Sequence, residues 1–83
     1  MEDGSYERLA GLVERWLSET TVGDPHSAVS SLRYYQEWTL WKEGKGIPPV
    51  SMNALSRELR AAGLTPIKVP GGGRAWVGRR FPI

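Results

Sequence analysis

Eighty-three residues with no cysteine make one domain that packing alone must hold, because neither a disulfide framework nor a thiolate zinc site is open to it. The net charge of +2 is small, but residues 1–44 carry −4 and residues 45–83 carry +6. A chain polarised in this way points its basic half at an anionic partner, and the few carboxylates of that half, Glu58 alone, exclude a carboxylate-pair catalyst there.

The first helix is expected to follow a cap at Asp3 or Ser5. Leu9, Leu12, Val13, Trp16 and Leu17 recur at i, i+3, i+4, i+7 and i+8, which predicts one apolar face, while Glu7, Arg8, Glu14, Arg15 and Glu19 form a face of mixed sign. Such a helix is structural, since Glu14 and Glu19 would repel phosphate. Met1-Glu2-Asp3-Gly4 lacks the basic and apolar regions of a secretory signal, and no apolar run is long enough to span a bilayer, so the expectation is a soluble cytoplasmic protein without a membrane partner.

Residues 20–28 contain Gly23-Asp24-Pro25 and read as a turn-rich connection, after which Val29 is expected in a short strand at the edge of a sheet. His26 lies in this connection. With no cysteine and no carboxylate at helical spacing beside it, it cannot build a metal site, and a solvated loop residue is the better reading.

Ser30 opens a second helix over residues 31–43, ended by Gly44. The spacing puts Leu32, Tyr35, Trp38, Thr39 and Lys42 on one face, with Tyr35 and Trp38 expected in the core. Tyr34 and Trp41 flank that face and are the candidates for contact with another protein, because aromatic side chains concentrate binding energy at interfaces. Gly44-Lys45-Gly46-Ile47-Pro48-Pro49 is the turn to the next helix, stiffened by its two prolines. Lys45 within it is placed to touch phosphate.

Ser51 caps a third helix over residues 52–62. Leu55, Leu59 and Ala62 share a core face, and Asn53, Arg57 and Arg60 share the opposite, basic one. Gly63 then ends the helix in a left-handed conformation, with Leu64 making the apolar contact that accompanies such an end. Residues 67–69 and 75–77 alternate as short strands around Pro70-Gly71-Gly72-Gly73, which predicts a β-hairpin. Phe81 and Ile83 are expected to pack back on the core and to hold Arg79 and Arg80 beside the hairpin.

Three helices followed by a hairpin define an α+β winged helix-turn-helix, with residues 1–28 as first helix and connection, 29–63 as helix-turn-helix and 64–83 as wing and tail. Residues 30–78 contain Ser-Ser-Leu-Arg-Tyr-Tyr-Gln-Glu-Trp, then Pro49-Val50-Ser51, then a helix ending in Leu59-Arg60-Ala61-Ala62-Gly63, then Arg74-Ala75-Trp76-Val77-Gly78. This resembles the C-terminal winged-helix domain of phage and plasmid primase-helicases of the poxvirus type, with Leu32, Tyr35, Trp38, Pro49, Ser51, Leu59, Gly63 and Trp76 matching and Arg33, Leu55 and Leu64 departing from the pattern. The resemblance implies an accessory DNA-binding module on a mobile-element replication protein, without ATPase or primase activity. No phosphate-binding loop is present, since Gly71-Gly72-Gly73 runs into Arg-Ala.

The sequence therefore leads to a duplex-DNA-binding protein that is not an enzyme and needs no metal or cofactor. Asn53 and Arg57 are expected on base edges and Arg60 on phosphate, with Lys68 and Arg74 on the flanking backbone or in the minor groove. Lys45, Ser51, Arg79 and Arg80 complete the expected DNA surface. The alternative is a protein-interaction module docking a replication protein or a second copy through Tyr34, Trp41 and the acidic first helix.

Overall fold

The computed structural model describes residues 5–82, and side chains from residue 9 onward. The elements run α1 (Ser5–Thr20), β1 (Val22–Ser30), α2 (Ser31–Lys42), α3 (Met52–Ala61), β2 (Thr65–Lys68) and β3 (Arg74–Arg80). Among the described residues this is a small α+β fold, with three helices and one antiparallel sheet in the order β1-β3-β2. The proposed cap at Asp3, the side chains of Glu7 and Arg8, and the packing of Ile83 lie outside the described residues.

The apolar stripe of α1 is buried as its spacing requires: Val13, Trp16 and Leu17 are in the core, with Leu9 and Leu12 against it. Trp16 stands edge-on to Trp38, ring centroids 5.2 Å apart, and to Tyr34 at 6.1 Å. Such perpendicular pairs add about 0.5–1.5 kcal/mol to the gain from burial alone. Leu55 and Leu59 of α3, Leu64 and Trp76 of β3 close the cluster. Phe81 also packs back, its ring 5.1 Å from that of Tyr34.

Both expected serine caps are formed. The Ser30 hydroxyl accepts from the Arg33 amide at 3.0 Å, and the Ser51 hydroxyl accepts from the Ala54 amide at 3.1 Å, each satisfying one of the free N–H groups of a first turn. At the other end of α3, Leu64 N–H donates to Leu59 C=O and Gly63 N–H to Arg60 C=O, the paired bonds of a Schellman end. Gly63 takes φ +100° to make them, a conformation costly for any residue with a Cβ. The price of this geometry falls on Ala62, which becomes the exposed C-cap instead of the core residue that spacing predicted.

The largest departure is β1. Residues 22–30 are a nine-residue strand, not a turn-rich connection. Val29 does pair with Trp76, as expected of it, but pairing resumes at the other end too, from Val22 with Arg80 to Asp24 with Gly78. The register shifts between Asp24 and Ala28, so the turn-forming Asp24-Pro25 is absorbed in a bulge on an edge strand. The Asp24 carboxylate holds the bulge by accepting from the His26 amide and the Ser27 hydroxyl. These bonds, the Ser27 hydroxyl first and then the His26 amide, with Arg80 beside them, keep its carboxyl below the usual aspartate range.

On α2 the buried stripe is rotated from the expected one. Trp38 and Tyr34 are fully buried, Tyr35, expected in the core, is only half-buried, and Leu32, placed on the same face as Tyr35 and Trp38, is 58% exposed. Tyr34 is drawn in by its own bond to the far strand, the hydroxyl donating to Arg79 C=O at 3.0 Å, and burial pushes its pKa up to about 12 against the opposing charge of Arg79. Trp76 is anchored similarly, its indole N–H donating to the Ser31 hydroxyl at 2.9 Å.

Candidate nucleic-acid interface

The core faces of α3 and of the hairpin are turned to Trp16, Trp38 and Trp76, which leaves the opposite face of α3 and the turn of the hairpin outward. Asn53, Ser56, Arg57 and Arg60 follow the i, i+3, i+4, i+7 spacing of one helix face. Together with Arg74 of β3 they line a cleft of about 240 Å³. No carboxylate lines it. A second, larger cleft of about 630 Å³ shares Asn53, Ser56 and Arg74 with the first. Its remaining walls are the start of α2 (Ser30, Ser31, Leu32), Met52 at the start of α3, and Lys68, Val69, Gly72 and Gly73 of the hairpin. The three turn glycines take φ between +88° and +99°, so the tip bends back sharply enough to bring Lys68 and Arg74 opposite one another in the strand register.

The fold brings together Asn53, Arg57, Arg60, Lys68 and Arg74 of the expected DNA surface. Among the described residues, none of the four cations in this group enters a side-chain hydrogen bond or ion pair. Elsewhere the described arginines are engaged. Arg15 pairs with Glu19, Arg33 with Glu37 and Arg80 with Asp24, each at 3.0 Å.

Four of the expected surface residues stand apart from the clefts. Arg79 is half-buried and donates to the Thr21 hydroxyl at 2.6 Å and to Thr21 C=O at 3.3 Å. Arg80 is six residue steps from Arg74 along β3, about 20 Å at the rise of a β-strand. The tail therefore reinforces the β1 edge of the sheet and does not extend the basic face. Lys45 folds back over Trp41, its ammonium 4.5 Å from the ring centre and donating to Trp41 C=O at 2.7 Å. Ser51 lines neither cleft, and its hydroxyl is used by the α3 cap.

Neither protein-contact candidate is a free aromatic surface. Tyr34 is 0% exposed, so it is a core residue and cannot anchor a partner. Trp41 is half-buried, tilted against Trp38 with its indole N–H donating to Glu19 at 3.3 Å. The Arg15 hydrogen bond first, and this indole second, hold the Glu19 carboxyl below the usual glutamate range.

Ser56, Leu32 and Met52 line the clefts without having been expected there. Ser56 was legible, since it sits three residues after Asn53 and one before Arg57 on the same face. Leu32 was hidden by a helix whose apolar side chains run all round it. His26 is exposed on the β1 bulge, and among the described residues no three histidine, cysteine or carboxylate side chains are grouped to hold a metal. No helix of the described residues is long and apolar enough to cross a membrane. No protein-family model, curated protein or solved structure matches the chain.

Proposed function

We propose that this chain is a winged helix-turn-helix domain that binds duplex DNA, with α3 entering the major groove and the β2–β3 hairpin lying against the flanking backbone. The observation that carries the reading is the convergence of Arg57, Arg60 and Arg74 on one open cleft that no carboxylate lines. Like charges held together without a counter-ion repel, and a phosphodiester backbone relieves that repulsion while releasing its own condensed cations. The element order and the sheet order β1-β3-β2 agree with a winged helix, and α3 and the hairpin line the same clefts.

Asn53 and Arg57, nearer the N-terminus of α3, take base edges, where an amide matches adenine and a guanidinium matches guanine. Arg60, Lys68 and Arg74 take phosphate, which gives a slope of about −2.7 in log K against log salt at 0.9 per phosphate neutralised. The resemblance to mobile-element primase-helicases supports a cytoplasmic place in phage or plasmid replication, as an accessory DNA-binding module.

Titration of isotope-labelled protein with a mixed-sequence duplex of about 16 base pairs, followed by amide chemical shifts, tests the reading. The amides of α3 and of the hairpin turn are expected to move and those of α1 to stay. Shifts centred on Trp41 and α1, or no shifts at low salt, would contradict it.

A further inference from the structure

The larger cleft is not lined as a plain anion site would be. Leu32 is 58% exposed and Met52 42% exposed, and both line it together with Asn53, Lys68 and Arg74. Their positions follow from the core: α2 commits Tyr34 and Trp38 inward and α3 commits Leu55 and Leu59, so the opening residues of both helices face outward. An isobutyl group and a thioether gain nothing from phosphate. The ligand that suits this cleft has anionic rims and an apolar group between them.

The major groove of DNA has that composition, because each A·T pair displays the thymine C5-methyl beside the adenine N6 and N7 edge. We propose that Leu32 and Met52 form a thymine-methyl site, so that this face selects A·T-containing DNA with Asn53 bonding the adenine edge. Met52 and Asn53 open α3 and line the same cleft, which lets the methyl and the adenine edge of one pair be read together. The same recognition separates DNA from RNA, since uracil has no methyl and the A-form major groove is too narrow for a helix. This inference rests on the duplex-binding reading of the same face.

The test compares two duplexes of alternating sequence, one of dA and dT and one of dA and dU, which differ only in the methyl groups. Wild-type protein is expected to bind the dU duplex about fourfold more weakly for each methyl group that Leu32 and Met52 would have covered. The Leu32→Ala/Met52→Ala variant is expected to bind both duplexes equally, near the wild-type affinity for the dU duplex. Both side chains are exposed, and the ratio of the two affinities does not depend on how much of the variant is folded. Equal binding of the two duplexes by wild-type protein, or an undiminished dT preference in the variant, would overturn the methyl site while leaving the DNA reading intact. Failure to bind either duplex at low salt would overturn both.

Discussion

Arg74 and Arg79 lie on the same strand, five residues apart, and the fold uses them in opposite ways. Arg79 is half-buried at the β1 edge, where its guanidinium joins Thr21 and its carbonyl accepts from Tyr34. Arg74, at the hairpin end, lines both clefts beside Arg57, Arg60 and Lys68. The contrast extends to the two sides of the molecule. Arg15 of α1, Arg33 of α2 and Arg80 at the far end of β3 are each matched to an acid of the same or the neighbouring element, whereas α3 and the turn end of the hairpin hold their cations apart from any carboxylate in the clefts. One side uses charge to fix its own surface. The other keeps charge available.

The strongest disruption comes from beneath the paired side. Trp16→Ala removes the ring that Trp38, Tyr34 and Phe81 all pack on, and is expected to cost about 3–5 kcal/mol in urea unfolding, a large part of the roughly 5–15 kcal/mol available to a small domain. An unchanged midpoint would deny Trp16 its central place.

Next come two single arginine removals that should separate the sides. Arg57→Ala is expected to lose about 1–3 kcal/mol of DNA affinity and relax preference at one base pair, with the thermal midpoint unchanged. Arg79→Ala is expected to do the reverse, losing about 1.5–3 kcal/mol of stability through its charge-assisted bonds while the salt slope of binding stays the same. If both variants lost DNA affinity equally, the division of the surface would be wrong.

Tyr34 gives the paired side a pH signature. Its folded pKa, about 12, lies above the ordinary 10.0, so the unfolded chain releases this proton first as pH rises. The stability it contributes is complete below pH 10 and lost between about 10 and 12. Tyr34→Phe should flatten urea midpoints over that window, and an unaltered fall would assign the pH dependence to other groups. The smallest effect is expected from Asp24→Asn, which loosens a solvent-screened ion pair and releases Arg80. DNA affinity should not change, because Arg80 is on the wrong side; a gain would show the paired arginines to be a second DNA surface.

The difference between the two sides was only partly visible in the sequence. α1, the serine caps, the Gly63 end and the hairpin each have local chemistry that one segment states by itself. The basic face of α3 was legible for the same reason. β1 was not, because Asp24-Pro25 signals a turn and only the pairing of residues 22–24 and 28–30 with β3 converts that turn into a bulge. Nor was the orientation of α2, where Leu32, Tyr34, Tyr35, Trp38, Leu40 and Trp41 surround the axis and the bond from Tyr34 to Arg79, 45 residues away, helps select the buried side. Arg79 and Arg80 looked like part of the basic face because composition counts charges and cannot show which have partners.

The central proposal is that the cations of α3 and the hairpin, which have no side-chain partner among the described residues, bind DNA, and that net charge does not. Its most direct measurement is the salt dependence of binding to one labelled duplex for wild-type protein and two variants that each remove two positive charges. Arg60→Ala/Lys68→Ala should lower the slope of log K against log salt by about 1.8, two phosphates at 0.9 each, while Arg15→Ala/Arg33→Ala leaves it unchanged. Equal reductions of slope in the two variants would contradict the claim, and would mean that the protein binds through its overall charge.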